Sequence, residues 1–340
     1  MKSVRFHGTG DVRLDDVEPR PPGPGEVLLR PEAVGICGTD IHIIDGEFPA
    51  APPMALGHEI SGRVVEIGPG VDSLEIDQLV TIEPHIYCGV CFNCQSGTLH
   101  MCPNRKAPGV HLDGGMQEFL TLPASLAYHL PAGVPAWLGA MTEPVACCVH
   151  GMDRLAPTSG NSIVIFGAGP IGAILIALAQ KAGLGPIVSV DPRKARRDLA
   201  SRFGADITLD PSEIDLKEAS LEITNGVGFP YVIDATGAQG VLESALSVTS
   251  RAGRILLLGV APPQVRASVS PNEIYARELT ILGTALNPFT HRRAASLVST
   301  LGLDRLNRGE FPIDSFQDAL TAQRQGSFDK VFLLPQTQES

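Results

Sequence analysis

Ser162-Ile163-Val164-Ile165-Phe166-Gly167-Ala168-Gly169-Pro170-Ile171-Gly172 carries no charge and runs on into an apolar stretch, Ile174 to Ala182. The first five residues are mostly β-branched or aromatic, as in the central strand of a parallel sheet. The apolar stretch suits a helix packed under that sheet. Between them lies G-x-G-x-x-G. Gly167 makes the tight turn, Gly169 lets the backbone approach a pyrophosphate, and Gly172 allows helix and strand to touch. With Pro170 and Ile171 the glycines open a helix N-terminus, whose unpaired N–H groups suit phosphates. Nineteen residues after Gly172, Asp191 closes a second strand, Ile187 to Val190. A carboxylate there accepts hydrogen bonds from ribose hydroxyls and repels a 2′-phosphate, which predicts NAD over NADP. Arg193 and Arg196 stand close by, and either can meet a phosphate. The four breakers Gly167, Gly169, Pro170 and Gly172 exclude a membrane-spanning helix from Ile163 to Ala179.

Further strand–helix units extend the pattern. Tyr231 to Asp234 ends at Ala235-Thr236-Gly237, Arg254 to Leu258 at Gly259-Val260, and Leu279 to Leu282 at Gly283-Thr284. Helices are predicted over Lys194 to Phe203, with Gly204 after it, and Val241 to Thr249. This alternation predicts a Rossmann, doubly wound parallel sheet in an α/β fold. Ligands of such sheets sit at the carboxyl ends of the strands, so Thr236, Gly259 and Val260 are candidate cofactor contacts. Residues before about 145 differ, with many prolines and short alternating segments such as Glu26 to Leu29. They predict a mainly antiparallel β domain. The end of the chain returns to that style, with strands at Phe311–Ile313 and Lys330–Leu334 flanking a helix from Asp314 to Gln323.

A second constellation is compact. Cys88, Cys91, Cys94 and Cys102 form C-x2-C-x2-C-x7-C within fifteen residues. Four thiolates so close in sequence can close a tetrahedron around one Zn²⁺. Gly89, Asn93, Ser96, Gly97 and Pro103 supply the turns. Buried free cysteines have no reason to gather at this spacing, and disulfides of this density belong to small secreted domains. Four protein sulfurs leave no open position, so this zinc is expected to be structural.

Composition sets outer limits. The chain has 340 residues, with 44 % hydrophobic and 19 % charged, which suits two globular domains. Its net charge is −11 and no basic cluster stands out, so a nucleic-acid partner is not expected. No apolar export signal follows Met1, so the expectation is a cytoplasmic, non-membrane protein.

The third constellation is dispersed. Cys37 lies in Gly35-Ile36-Cys37-Gly38-Thr39-Asp40-Ile41-His42, outside the knuckle. His58 and Glu59 lie in Gly57-His58-Glu59-Ile60-Ser61-Gly62, and Glu143 in Thr142-Glu143-Pro144. A thiolate, an imidazole and one carboxylate would hold a second zinc with a position free for water or substrate. By residue type alone, a His-Glu pair is more often a surface or core-edge pair.

Taken in order, G-I-C-G-T-D-I-H, G-H-E-I-S-G, the four-cysteine knuckle, T-E-P-V and G-A-G-P-I-G resemble the zinc-dependent medium-chain dehydrogenases of the alcohol dehydrogenase superfamily. Glu143-Pro144 is similar to the sorbitol, threonine and glucose dehydrogenase branch. The resemblance implies a GroES-like catalytic domain from residues 1–148 and 288–340, around an NAD-binding domain at 149–287. It implies catalytic-zinc positions at Cys37, His58 and Glu143, with Glu59 able to enter or leave the metal shell and Asp40 orienting the histidine. A cleft between the domains would hold zinc and nicotinamide. The zinc lowers the pKa of the substrate alcohol, and hydride passes to the nicotinamide. The proton would leave through Thr39 and His42, or by a water and the Glu143 carboxylate. The implied substrate is a small secondary alcohol, a polyol or sugar alcohol first, with an L-threonine-type amino alcohol as the alternative. Sorbitol dehydrogenases carry an Arg-Tyr pair where this chain has Leu286-Asn287. A cofactor-binding relative without activity is the reading from another class, and the complete ligand set argues against it. The apolar segment Leu279-Thr280-Ile281-Leu282 resembles an edge strand that pairs across a two-fold axis, which predicts a homo-oligomer, a tetramer favoured. The remaining histidines, including His85 and His291, are expected to be structural or exposed, and Trp137 a packing residue.

Overall fold

The computed structural model describes residues 1–336. Its chain divides into two compact units, one of residues 1–146, 287–300 and 306 onward, the other of 147–286 with 301–305.

The second unit is a six-stranded parallel sheet. Its order is Ile207–Leu209, Ile187–Val190, Ile163–Phe166, Phe229–Asp234, Thr249–Leu257, Thr280–Gly283. In chain order this is 3-2-1-4-5-6, the doubly wound arrangement, with the reversal beside Ile163–Phe166. That strand and Ile187–Val190 are buried at every position, as their charge-free sequences require. The helix after the glycine turn spans Pro170–Lys181 and buries every residue from Gly172 to Ala179. It starts four residues before the apolar stretch because Pro170 sits in its first turn, where its fixed φ is an asset. Lys194–Phe203 is helical as predicted and stops at Gly204, which is left-handed at φ 96°. The helix Val241–Val248 gives way at once to Thr249–Leu257, a strand that begins earlier than expected. Its register against Phe229–Asp234 shifts near its start, so periodicity at Arg254 reveals only its regular half.

The first unit is built on a mainly antiparallel sheet. Its order is Arg308–Pro312, Lys330–Leu334, Glu26–Ile36, Glu59–Ile67, Leu79–Ile82, Ala127–His129, and Leu120–Pro123 also pairs with Glu26–Ile36. Only the first two strands run parallel. Val27, Leu29, Val34, Ile36, Ile60, Val64, Val331 and Leu333 form its core. Each such aliphatic side chain is worth roughly 1.5–3 kcal/mol when fully buried. Glu26–Ile36 is longer than its alternating start suggests. Pro31 interrupts the pattern, and the register shifts between Pro31 and Ala33, since proline donates nothing to the ladder. The C-terminal helix spans Phe316–Gln325. Among the described residues, no helix is long and apolar enough to cross a membrane.

Candidate active site

Within the first unit, two groups of potential metal ligands converge, each with its donor atoms within 4.8 Å of one another. One is Cys88, Cys91, Cys94 and Cys102; the other is Cys37, His58 and Glu59. In the first group, the Sγ atoms of Cys88 and Cys94 are 3.9 Å apart, and those of Cys102 and Cys88 are 3.5 Å apart. The backbone N–H groups of Val90 and Cys91 point at Cys88 Sγ and pull its pKa down to about 6. Burial and the neighbouring cysteines push Cys94 up to about 12. Four sulfurs crowded around one point, one of them poised to ionise, fit a closed tetrahedral zinc.

The second group is positioned by the sheet. Cys37 follows directly on Glu26–Ile36, before the short helix Gly38–Ile44. Its N–H donates to Asp40 Oδ2 at 2.8 Å, which fixes the turn. Asp40 is fully buried, and its Oδ1 lies 3.5 Å from His58 Nδ1, leaving the other ring nitrogen for a metal. Burial alone disfavours an imidazolium at His58, yet Asp40 and Cys37 together hold its pKa well above the usual range. Glu59 opens the strand Glu59–Ile67 opposite Gly35. A Cβ on Gly35 would stand 1.9 Å from Glu59 Oε2, so only glycine leaves room for the carboxylate. Lys330, buried in the strand on the other side of Glu26–Ile36, lies 2.5 Å from Glu59 Oε2 and 2.8 Å from Oε1, and also donates to Ile36 O at 3.1 Å. Thiolate, imidazole and carboxylate, with an oriented histidine, fit a zinc with an open position.

Glu143 is not among the three converging residues. It is buried in the first turn of Thr142–Leu155, where its Oε1 accepts from Asn287 Nδ2 at 3.4 Å. Cys37 Sγ and Thr39 Oγ1 are 3.7 Å apart. His42 is exposed, and its Nδ1 lies 2.6 Å from Glu47 Oε2.

In the second unit, the glycine turn follows the strand Ile163–Phe166 and leads into the helix Pro170–Lys181. Gly167 has φ 95°, and a Cβ there would press on Thr236 at 2.7 Å. A Cβ on Gly172 would meet Gly167 O at 2.0 Å. Gly169 faces open space within 4 Å, and no side chain caps the helix it begins. That uncapped, uncrowded turn at the reversal of strand order fits a dinucleotide pyrophosphate. Asp191 is buried; its Oδ2 accepts the Ala168 N–H at 3.1 Å and its Oδ1 the Arg193 N–H at 2.9 Å. The carboxylate therefore ties the second strand end to the turn. Thr236 is tied down by Asp234, which takes its N–H at 2.8 Å and its hydroxyl at 2.7 Å. Val260 is exposed, and Arg196 is half-buried on Lys194–Phe203.

The chain is 36 % identical to an L-threonine 3-dehydrogenase of Pyrococcus horikoshii over 98 % of its own length and 97 % of that protein's. It belongs to the zinc-dependent alcohol dehydrogenase family. Its residues 23–132 match the alcohol dehydrogenase GroES-like domain and residues 170–300 the zinc-binding dehydrogenase domain. This zinc-dependent dehydrogenase is also 31 % identical to a sorbitol dehydrogenase of Halalkalibacterium halodurans, over 97 % of each chain. Among solved structures, it matches a candidate zinc-binding dehydrogenase of Sinorhizobium meliloti bound to NADP at TM-score 0.95 and 36 % identity, covering 98 % of this chain and 99 % of that one. An alcohol dehydrogenase of Escherichia coli complexed with NADH matches at TM-score 0.92 and 28 % identity, again over 98 % and 99 %.

Two features of the dehydrogenase escape its sequence. Lys330 stands far from Glu59 in the chain, and only the strand order brings them together. The histidines expected to be structural or exposed include His85 and His291, and both are buried in a polar cluster. Glu83 accepts from Tyr128 at 2.8 Å, Tyr128 packs on His291 with ring centroids 5.0 Å apart, and His85 stacks on Tyr87 at 6.1 Å. The alternation Glu83, His85, Tyr87 was the available signal, polar at every second position. Trp137 packs edge-on to Phe332 at 6.3 Å, with the Arg308 guanidinium 3.8 Å from its ring centroid.

Proposed function

We propose that the protein oxidises a small secondary alcohol with NAD, through a zinc held by Cys37, His58 and Glu59. The observation that carries this reading is that converging triad, half-buried Cys37 with buried His58 and Glu59, and Asp40 behind its histidine. Zinc there would supply a Lewis acid to the substrate hydroxyl, and nicotinamide would accept the hydride. The protein's own groups serve this chemistry. Cys37 and His58 hold the site, Asp40 fixes the ring, and Lys330 balances the Glu59 charge. Thr39 beside Cys37 and the exposed His42 suit a proton path to solvent, and the buried Glu143 is the competing acceptor. Asp191 supports NAD, while the NADP-bound relative makes this preference the point to test. A second zinc in the four-cysteine lobe completes the metal content.

For the substrate, an amino alcohol of the L-threonine kind is better supported than a polyol. The relative of that name is the more similar, and Asn287, at the polyol-clamp position, is fully buried and donates to Glu143. The sorbitol dehydrogenase relative keeps a polyol as the second reading. A homo-oligomer, a tetramer favoured, is supported by Thr280–Gly283, an edge strand with exposed or half-buried positions throughout. The deciding assay is reduction of NAD against NADP with threonine and sorbitol, on protein whose zinc has been counted. Two zincs per chain and NAD-dependent threonine oxidation are expected. Turnover with no alcohol, or equal rates with NADP, would refute the respective parts. Light scattering reads the oligomer, and an active monomer would remove that part.

A further inference from the structure

Glu59, Cys37 and Lys330 are brought together by register. Gly35 pairs with Glu59 on one side and with Phe332 on the other. Ile36 pairs with Val331, so one step further the same register sets Lys330 opposite Cys37. Opposite residues of antiparallel strands share a face, as do residues two apart in one strand. Glu59, Cys37 and Lys330 therefore project from one face, around the bare Cα of Gly35.

The two Glu59 oxygens are not equivalent there. Oε1 accepts a hydrogen bond from Lys330 Nζ at 2.8 Å. Oε2 lies 2.5 Å from the same nitrogen, yet it has no hydrogen-bond donor among the described residues. Oε2 is also the oxygen that lies over Gly35, two residues before Cys37. A buried carboxylate oxygen without a donor is costly, and a metal ion beside Cys37 would remove that cost. The ammonium is pinned meanwhile, because it is buried and also donates to Ile36 O at 3.1 Å.

This division has a chemical use. Carboxylates bind metals through one oxygen or through both. With Cys37, His58 and one oxygen of Glu59, a tetrahedral zinc keeps one position for a substrate hydroxyl. With both oxygens that position is filled. We infer that Lys330 is a positioning residue, which holds Oε1 so that Glu59 meets the zinc through Oε2 alone and the fourth position stays open. Lysine suits this task, since a single ammonium can share the carboxylate with a metal, whereas an arginine fork takes both oxygens. The inference rests on the zinc site proposed above and adds what keeps that site open.

The test puts cobalt(II) in place of zinc, because its visible bands report coordination, and uses imidazole to probe the open position. The four-cysteine lobe has no open position, so its bands form a constant background. In the unaltered protein, imidazole should shift the bands that Cys37→Ser removes. In Lys330→Met both oxygens are free to bind, so the imidazole dissociation constant should rise at least about tenfold, as is typical for the partner of a metal ligand. Chelator competition should show zinc held at least as tightly as before, since a competitor for the carboxylate is gone. Adding Glu59→Gln should restore imidazole binding, because an amide has only one oxygen to give. A purely structural lysine predicts looser zinc and an unchanged imidazole affinity, and either result overturns the inference. Should Lys330→Met not fold, Lys330→Gln, which removes the ammonium and keeps a hydrogen-bonding group, is read by the same measurements with the same outcomes. If imidazole shifts no Cys37-dependent band in the unaltered protein, the zinc-site reading fails and the inference with it. A shift that Lys330→Met leaves unchanged overturns the inference alone.

Discussion

The two metal-ligand groups of the first unit are made in opposite ways. The four-cysteine lobe is local: its ligands lie within fifteen residues, and its short helix Phe92–Gln95 buries nothing. Val90 and Phe92 on that lobe are 75 % and 82 % exposed. With no apolar core of its own, the lobe must be held by its metal. The Cys37, His58 and Glu59 group is the reverse. Its backbone is set by a sheet with a large core, and its carboxylate is answered by Lys330 from another strand. One site is folded by its ion; the other is folded before its ion arrives. The same residue types thus act as structure in one place and as a receptor in the other.

The sharpest way to break this contrast is to remove one ligand from each. Cys94→Ser should lose the lobe's zinc and most soluble protein, because structural zinc contributes roughly 10–16 kcal/mol in isolated zinc-finger peptides. Cys37→Ser should lose the other zinc and activity while Tm stays near the parent value. Metal analysis with thermal melting reads both, and equal losses of Tm would erase the distinction.

Next in size is Lys330→Met, which, while the triad is without its zinc, leaves the buried Glu59 carboxylate without a cation. Breaking a buried pair on one side costs roughly 3–5 kcal/mol. Adding Glu59→Gln should recover much of it, measured by denaturant unfolding. Full stability in the single variant would mean that the pair does not hold this site.

Smaller for each histidine over the range pH 7 to 5, and acting on the sheet-built region alone, is the effect of acid. Burial keeps His85 and His291 neutral in the fold down to about pH 3, whereas their ordinary value is 6.5. Below pH 6.5 the unfolded chain therefore binds the extra protons, so stability falls as pH falls and the loss levels off near pH 3. Each histidine should cost about 1.4 kcal/mol per pH unit within that window. His291→Gln should flatten the slope of unfolding free energy between pH 7 and pH 5, and an unchanged slope would contradict the burial argument. The smallest expected effect is Phe92→Ser on the lobe, within about 0.5 kcal/mol by the same unfolding measurement. A large loss there would show that the lobe rests on packing after all.

How much of this is legible in the sequence follows from the same contrast. The knuckle and the glycine turn are runs of neighbours, so spacing alone reveals them. Cys37 and His58-Glu59 are visible as short motifs, but their convergence is a property of strand pairing. Glu143 lies outside the converging three and bonds Asn287, a neighbour that no motif names. Glu59 and Lys330 meet only because Lys330–Leu334 pairs with Glu26–Ile36, and no period in the sequence encodes that. Among elements, those with one uninterrupted period were read well, such as Lys194–Phe203. Those with a register shift, Glu26–Ile36 and Thr249–Leu257, were read short.

The position of Lys330 also bears on how the chain is made. It bonds to Ile36 O from 294 residues away, at 3.1 Å. At 5–20 residues per second, a ribosome needs roughly 15–60 s to cover that gap. Throughout that interval the nascent first unit has Glu59 without its cation and the Glu26–Ile36 strand without one neighbour. Residues 147–286 are continuous and can close before Lys330 is made. Until Lys330–Leu334 emerges, that strand edge stays open and is a surface for chaperones to shield. The four-cysteine lobe has all its ligands once Cys102 has left the exit tunnel, whereas the Glu59 carboxylate gains its cation only once Lys330 has emerged.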